Sequence, residues 1–262
     1  MRGLRPLAAE LHKTLTLPST WVALAVTILG TAAITVLNAN YARSAIASGD
    51  VWDRGLLSPF ETGYSGMPLG TVGAVVLGVV AIGSEYTAAS TDAGGGRQIT
   101  TTLAAMPGRT GVLLAKTAVV VLLVALSAAV AIPLSTGIAA VMLGDAAVPT
   151  PGFGEAAARS AGAALYWALT AVMAIAITAL ARTVMIPLVV LIANSSVVSV
   201  SILLSRVTPL AFWLPDAAGQ RLFGDLSMME GALDAGPGGL VMAAWAALLL
   251  GIAAVVFARR DA

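Results

Sequence analysis

Glu85, Arg109 and Lys116 are charged residues of the stretch Gly83–Lys116, which an apolar run flanks on each side. It reads Gly83-Ser84-Glu85-Tyr86, then a Gly/Thr-rich run containing Gly94-Gly95-Gly96, then Met106-Pro107-Gly108-Arg109, and ends at Lys116. Charges of both signs between two apolar runs suit a polar connection between membrane-spanning helices, where a motor protein could push on the membrane domain. The glycines are not followed by Lys-Ser or Lys-Thr, so the stretch holds no phosphate-cradling loop of the G-x-x-x-x-G-K-[ST] kind. A second polar group interrupts the apolar run 183–205: Asn194, Ser195, Ser196, Ser199 and Ser201. At about 100° per residue, Ser195, Ser196 and Ser199 share one patch, and Asn194 and Ser201 share another on a different face. Such groups serve either as hydrogen-bonding glue between helices or as the polar lining of a pathway.

Other chemistries are excluded by what is missing. The 262 residues include no cysteine, hence no disulfide, thiolate metal site or cysteine nucleophile. The single histidine, His12, lies near the N-terminus, so a metal site built from several histidines is impossible. Neither GxSxG nor HExxH occurs, and His12 is far from the serines of the apolar runs, which argues against a Ser–His hydrolase inside the membrane. The expectation is a chain that is not itself an enzyme and holds no metal or cofactor. Net charge is +1 and basic residues cluster only in pairs, which offers no nucleic-acid surface.

The elements that position these residues follow from composition. Hydrophobic residues make up 58% of the chain and charged residues 10%, with a mean hydropathy of +0.93. Soluble domains carry about a quarter charged residues, so the composition is that of a membrane protein. A charge at mid-bilayer costs about 2.5–3.5 kcal/mol, so spans should show as charge-free windows. Six windows are long enough: 14–42, 62–84, 117–144, 160–181, 183–205 and 235–258. The fold expected is all-α, with spans at about 21–37, 67–83, 112–143, 160–181, 184–204 and 238–257. With the N-terminus inside, nine Lys and Arg fall on the inner side and five on the outer, so both termini are placed in the cytoplasm. The span interiors carry no ionisable residue of the kind that ion-coupled pumps keep there. Uphill transport would therefore draw its energy from another subunit.

Around the spans, residues 1–18 read as an amphipathic interfacial helix and not as a signal peptide. Leu4, Leu7, Ala8, Leu11 and Leu15 fall at helical spacing, with Arg5, Glu10, His12 and Lys13 on other faces, and Pro18 should break the helix. Residues 38–65 read as an outer loop. In the second span Gly66 and Gly70 form a GxxxG that Gly73 and Gly78 extend, a stripe for close helix approach. Pro133 should kink or shorten the third span. Arg182-Thr183 leaves an inner turn so short that spans four and five form a hairpin. In the outer segment 205–237, the apolar stretch from Pro209 to Pro215 reads as a partial hairpin dipping into the outer leaflet, with Trp213 at headgroup level.

Gly83-Ser84-Glu85-Tyr86, the polar connection, Met106-Pro107-Gly108-Arg109 and Lys116 together resemble the membrane subunits of type-2 ATP-binding-cassette (ABC) exporters. In that family a G-S-E-Y-like cluster ends the second span and a P-x-R…K cluster leads into the third. The N-terminal surface helix, the six spans and Trp213-Leu214-Pro215-Asp216 resemble it too, so the likeness covers nearly the whole chain. The resemblance implies a permease of a bacterial cytoplasmic membrane that exports an amphipathic or hydrophobic solute: a drug, a peptide or a lipid. Its partners would be two copies of an ABC ATPase subunit, which carry the ATP and Mg, a second permease chain, identical or related, and membrane lipid. Glu85, Tyr86, Pro107, Arg109 and Lys116 would couple to the ATPase through segment 84–111, and Asn194, Ser195, Ser196 and Ser199 would line the pathway. A secondary transporter and a non-transporting anchor or sensor subunit are the alternatives.

Overall fold

Long runs of Ala, Leu, Val and Gly without charge form long helices, because in lipid only a helix or a closed barrel satisfies every backbone polar group. The computed structural model describes residues 4–49, 54–86, 108–148, 151–196, 199–223 and 231–259. Helix α1 is Leu4–Thr16 and α2 is Pro18–Ser48. Between them Leu17 is extended, with Pro18 opening the next helix, where its missing N–H is harmless. Trp21 Nε1 donates to the Leu15 carbonyl at 2.9 Å and pins this corner.

Within α2 the turn Val26–Gly30 is π-helical. Buried Thr27, Thr31 and Thr35 return their hydroxyls to carbonyls four residues back, which satisfies them within their own helix; Thr35 also lies 3.2 Å from the Gly63 carbonyl. The helix ends at Gly49, in the left-handed conformation at φ 76°. The expected outer loop 38–65 is thus helical at both ends. Charges mark where a bilayer can end, but residues 31–48 contain no Gly or Pro to stop a helix there.

Its far end is the short helix α3, Pro59–Tyr64, capped by Ser58, whose Oγ accepts from the Glu61 amide at 3.2 Å. Ser58→Ala is expected to destabilise the chain by about 1 kcal/mol and Ser58→Gly by only a few tenths. Equal shifts of the two melting midpoints would show that the cap is not what Ser58 supplies.

Helix α4 is Met67–Tyr86, α5 is Arg109–Leu143 and α6 is Phe153–Ala181. Pro133 does not shorten α5, which continues to Leu143. The expected fifth span is not one helix: α7 is Met185–Ser196 and α8 is Val200–Ser205. Beyond them come a 3-10 turn Pro209–Trp213, α9, Pro215–Gly219, a second 3-10 turn Gln220–Phe223 and α10, Ala235–Arg259. The segment from 209 to 223 lies on the protein as well as beside it. Ala217, Ala218 and Gly219 are buried, Gly219 fits against Tyr166 and Met242, and Trp245 Nε1 donates to the Trp213 carbonyl at 2.9 Å.

Five helical stretches are long and apolar enough to cross a membrane: Pro18–Ser48, Pro59–Tyr86, Arg109–Ala146, Phe153–Ala181 and Ala235–Arg259. Burial separates them. The most apolar windows of the second and fourth are 72% and 67% buried, against 28% and 22% for the first and last. The core therefore lies along α4 and α6, and the outermost helices turn apolar faces outward, as lipid contact requires.

The glycines of α4 permit this arrangement by dividing between two neighbours. Gly73, and Gly66 just before the helix, face α2 at Ala23 and Thr27 and at Thr31, while Gly70 and Gly78 face α6 at Trp167 and Ala171. Helix α7 packs on the same pair, with Leu188, Leu191 and Ile192 against Val75, Val79 and Ala174.

Candidate functional site

Where α1 meets the ends of α4 and α5, four charged side chains pair below the apolar core. Lys116 Nζ donates to Glu10 Oε2 at 2.6 Å and lies 2.8 Å from Glu85 Oε1. Lys13 Nζ donates to the same Glu85 oxygen. The side chains of Glu10, Glu85 and Lys116 are each about 2% exposed, and that of Lys13 is 25% exposed. Two carboxylates and two ammonium groups sum to zero charge, which is what allows such burial.

Three elements make this tetrad. Glu10 and Lys13, three residues apart, come from one side of α1. Glu85 lies in the last turn of α4, and Lys116 two turns into α5. Glu85 was expected just past the second span, and Lys116 at the mouth of the third. Helix α4 runs past the expected span end at 83, which carries Glu85 into ordered helix, and Lys116 lies within the first turns of α5. Thr14 donates to the Glu10 carbonyl at 2.8 Å within α1.

Of the other residues expected to couple to a partner, Arg109 is the first residue of α5 and half-buried. Tyr86 ends α4, with its hydroxyl 3.5 Å from the Ala179 carbonyl of α6. Pro107, the Gly94–Gly96 run and most of segment 84–111 lie outside the described residues.

Glu10 and Lys13 were assigned to polar faces of a surface helix, and their pairing was missed. The signal available was charge parity, because Glu85 and Lys116 bound adjacent spans with opposite signs and Glu10 is the only acid in residues 1–49.

A second polar cluster sits at the break between α7 and α8. Asp216 accepts from Asn194 Nδ2 at 3.0 Å and Ser199 Oγ at 2.7 Å through Oδ2, and from Ser201 Oγ through Oδ1. Asn194 Oδ1 accepts from the Val200 amide at 3.0 Å, bridging the break. The helical wheel put Ser199 with Ser195 and Ser196, and Asn194 with Ser201 on another face. The break removes that geometry and brings Asn194, Ser199 and Ser201 together. Ser195 and Ser196 end α7, and their side chains lie outside the described residues.

At the opposite end of the bundle from the tetrad, Arg159 of α6 reaches α3. It donates to both oxygens of Glu61 at 2.5 and 2.9 Å and lies 5.0 and 4.9 Å from the ring centres of Phe60 and Tyr64. An open apolar groove of about 430 Å³ runs between α5 and α6 past Phe60, Ile132, Pro133 and Ala164. No group of three or more His, Cys, Asp or Glu able to hold a metal occurs among the described residues.

The tetrad offers neither a nucleophile nor a metal site. What it can do is transmit position: α1 cannot move against α4 or α5 without unpairing buried charge. Fold and site together are those of a multi-pass helical membrane protein. No family model matches the chain, and no curated protein matches it either.

Proposed function

We propose that this chain is the membrane subunit of an ATP-driven exporter of the ABC type-2 kind, acting as a dimer with an identical or related permease and two copies of a separate ATPase subunit. One observation carries the reading: the Glu10–Lys13–Glu85–Lys116 tetrad ties α1 to the two helix ends that border the connection 87–107. A push on that connection or on α1 would reach α4 and α5 as one unit. The resemblance of Gly83–Lys116 to the family's coupling region is the second support. ATP and Mg would reside on the partner, and this chain would have no catalytic role.

On this reading the protein lies in a bacterial plasma membrane with both termini in the cytoplasm. It has six spans, the fifth being α7 and α8 together as one discontinuous crossing. Asn194, Ser195, Ser196 and Ser199 form the polar stretch of the route out. The apolar groove between α5 and α6 suits an amphipathic or hydrophobic solute or a lipid.

The test is a mild-detergent pull-down of the tagged chain from its native membrane. The expected result is a soluble-type ATPase in about equal amount, whose substrate-stimulated hydrolysis falls when Glu85→Ala is introduced while the complex stays assembled. An intact, folded chain that retains no ATPase would overturn the reading.

A further inference from the structure

The Asp216 cluster goes beyond the coupling role, and its argument needs no assumption about transport. Asp216, in the first turn of α9, is half-buried beside the broken helix, and no Lys, Arg or His pairs with it among the described residues. Its contacts are the neutral donors Asn194, Ser199 and Ser201. The C-terminal end of the twelve-residue α7 lies at the same point, where the helix dipole adds a partial negative charge. A carboxylate without a basic partner among the described residues and a negative helix end, brought together, favour a cation there.

We propose that Asp216, Ser199, Ser201 and Asn194 form a binding site for one small monovalent cation of sodium size. The donor set gives the class. The Asp216 carboxylate, two serine hydroxyls and the Asn194 amide supply five oxygens, a hard set that excludes soft metals. A single carboxylate cannot balance a divalent ion, and calcium and magnesium sites usually recruit more anionic or water ligands. On binding, the hydroxyls and the amide turn their oxygens to the ion in place of their hydrogens to Asp216. The ion then holds Asn194 on one side of the break and Ser199 and Ser201 on the other.

The experiment is thermal unfolding of the purified chain in detergent at fixed pH and ionic strength, with choline chloride replaced stepwise by sodium, lithium or potassium chloride. The expected result is a midpoint that rises saturably by several degrees with sodium or lithium, because a ligand that binds only the folded state stabilises it by mass action. Asp216→Asn should abolish the rise. Ser201→Ala should keep it but raise the sodium concentration needed for half of it by roughly tenfold. If Asp216→Asn does not fold, the wild-type titration and Ser201→Ala decide alone. The proposal is overturned by equal midpoints in choline and sodium, by an unchanged response in either variant, or by a response to acid and none to sodium, which would make the cluster a proton-sensitive clasp. None of these outcomes depends on whether an ATPase is recovered with the chain.

Discussion

Lys116→Met is expected to lower the stability of the folded chain by about 3–5 kcal/mol, the usual penalty for removing one partner from a buried charge group. Methionine keeps most of the side-chain volume, so the loss reports charge and not a cavity. Glu10 would be left without its cation, while Glu85 would keep Lys13. The size of the effect follows from burial, since exposed ion pairs contribute about 0–1 kcal/mol and Lys116 is 2% exposed. Adding Glu10→Leu removes the orphaned carboxylate and leaves Glu85 with Lys13, again a neutral pair. The double variant should therefore recover much of the loss, giving a coupling of more than about 1 kcal/mol in a double-mutant cycle. Denaturant titration of the detergent-solubilised protein measures all four corners of the cycle. Purely additive losses would mean that Glu10 and Lys116 do not act as a pair.

Gly70→Ala carries the second largest expected effect. An alanine methyl at Gly70 would overlap the Trp167 ring, and Trp167 is fully buried on α6. Two terms oppose each other. Alanine favours a helix over glycine by about 1 kcal/mol, while overpacking a tight core costs about 1–3 kcal/mol or more. Overpacking should win here, because the ring is buried on all sides. Gly137→Ala is the control: it also lies inside a helix, but nothing stands within 4 Å of its added methyl, so it should be neutral or stabilising. Trp167→Leu should relieve the strain of Gly70→Ala. If Gly70→Ala melts no lower than Gly137→Ala, the close α4–α6 contact does not limit stability.

What the sequence reveals and what it hides follow a physical line. Charge-free windows locate helices because burial of charge is a local penalty, and α4, α5, α6 and α10 fall where that rule puts them. Helix ends follow different physics. Residues 38–48 leave the apolar zone yet stay helical until Gly49, since water tolerates a helix as well as a loop. The tetrad is hidden because its pairs lie 72 and 106 residues apart, beyond any periodic pattern. The Asp216 cluster is hidden for another reason. A helical wheel assumes an unbroken helix, and non-helical Ser199 moves Asn194, Ser199 and Ser201 from two faces to one carboxylate. The glycine stripe was half legible: close approach could be read from GxxxG, but its division between α2 and α6 depends on where those helices lie.

The tetrad also imposes an order on biosynthesis. Its four members leave the ribosome as Glu10, Lys13, Glu85 and Lys116, and the last trails the first by 106 residues. At about 5–20 residues per second, that interval is roughly 5–20 s. Until Lys116 is made Glu10 has no cation, and the tetrad contact open to α1 is that of Lys13 with Glu85. A ribosome stalled before residue 116 would therefore leave Glu10 unpaired and α1 without its tie to α5.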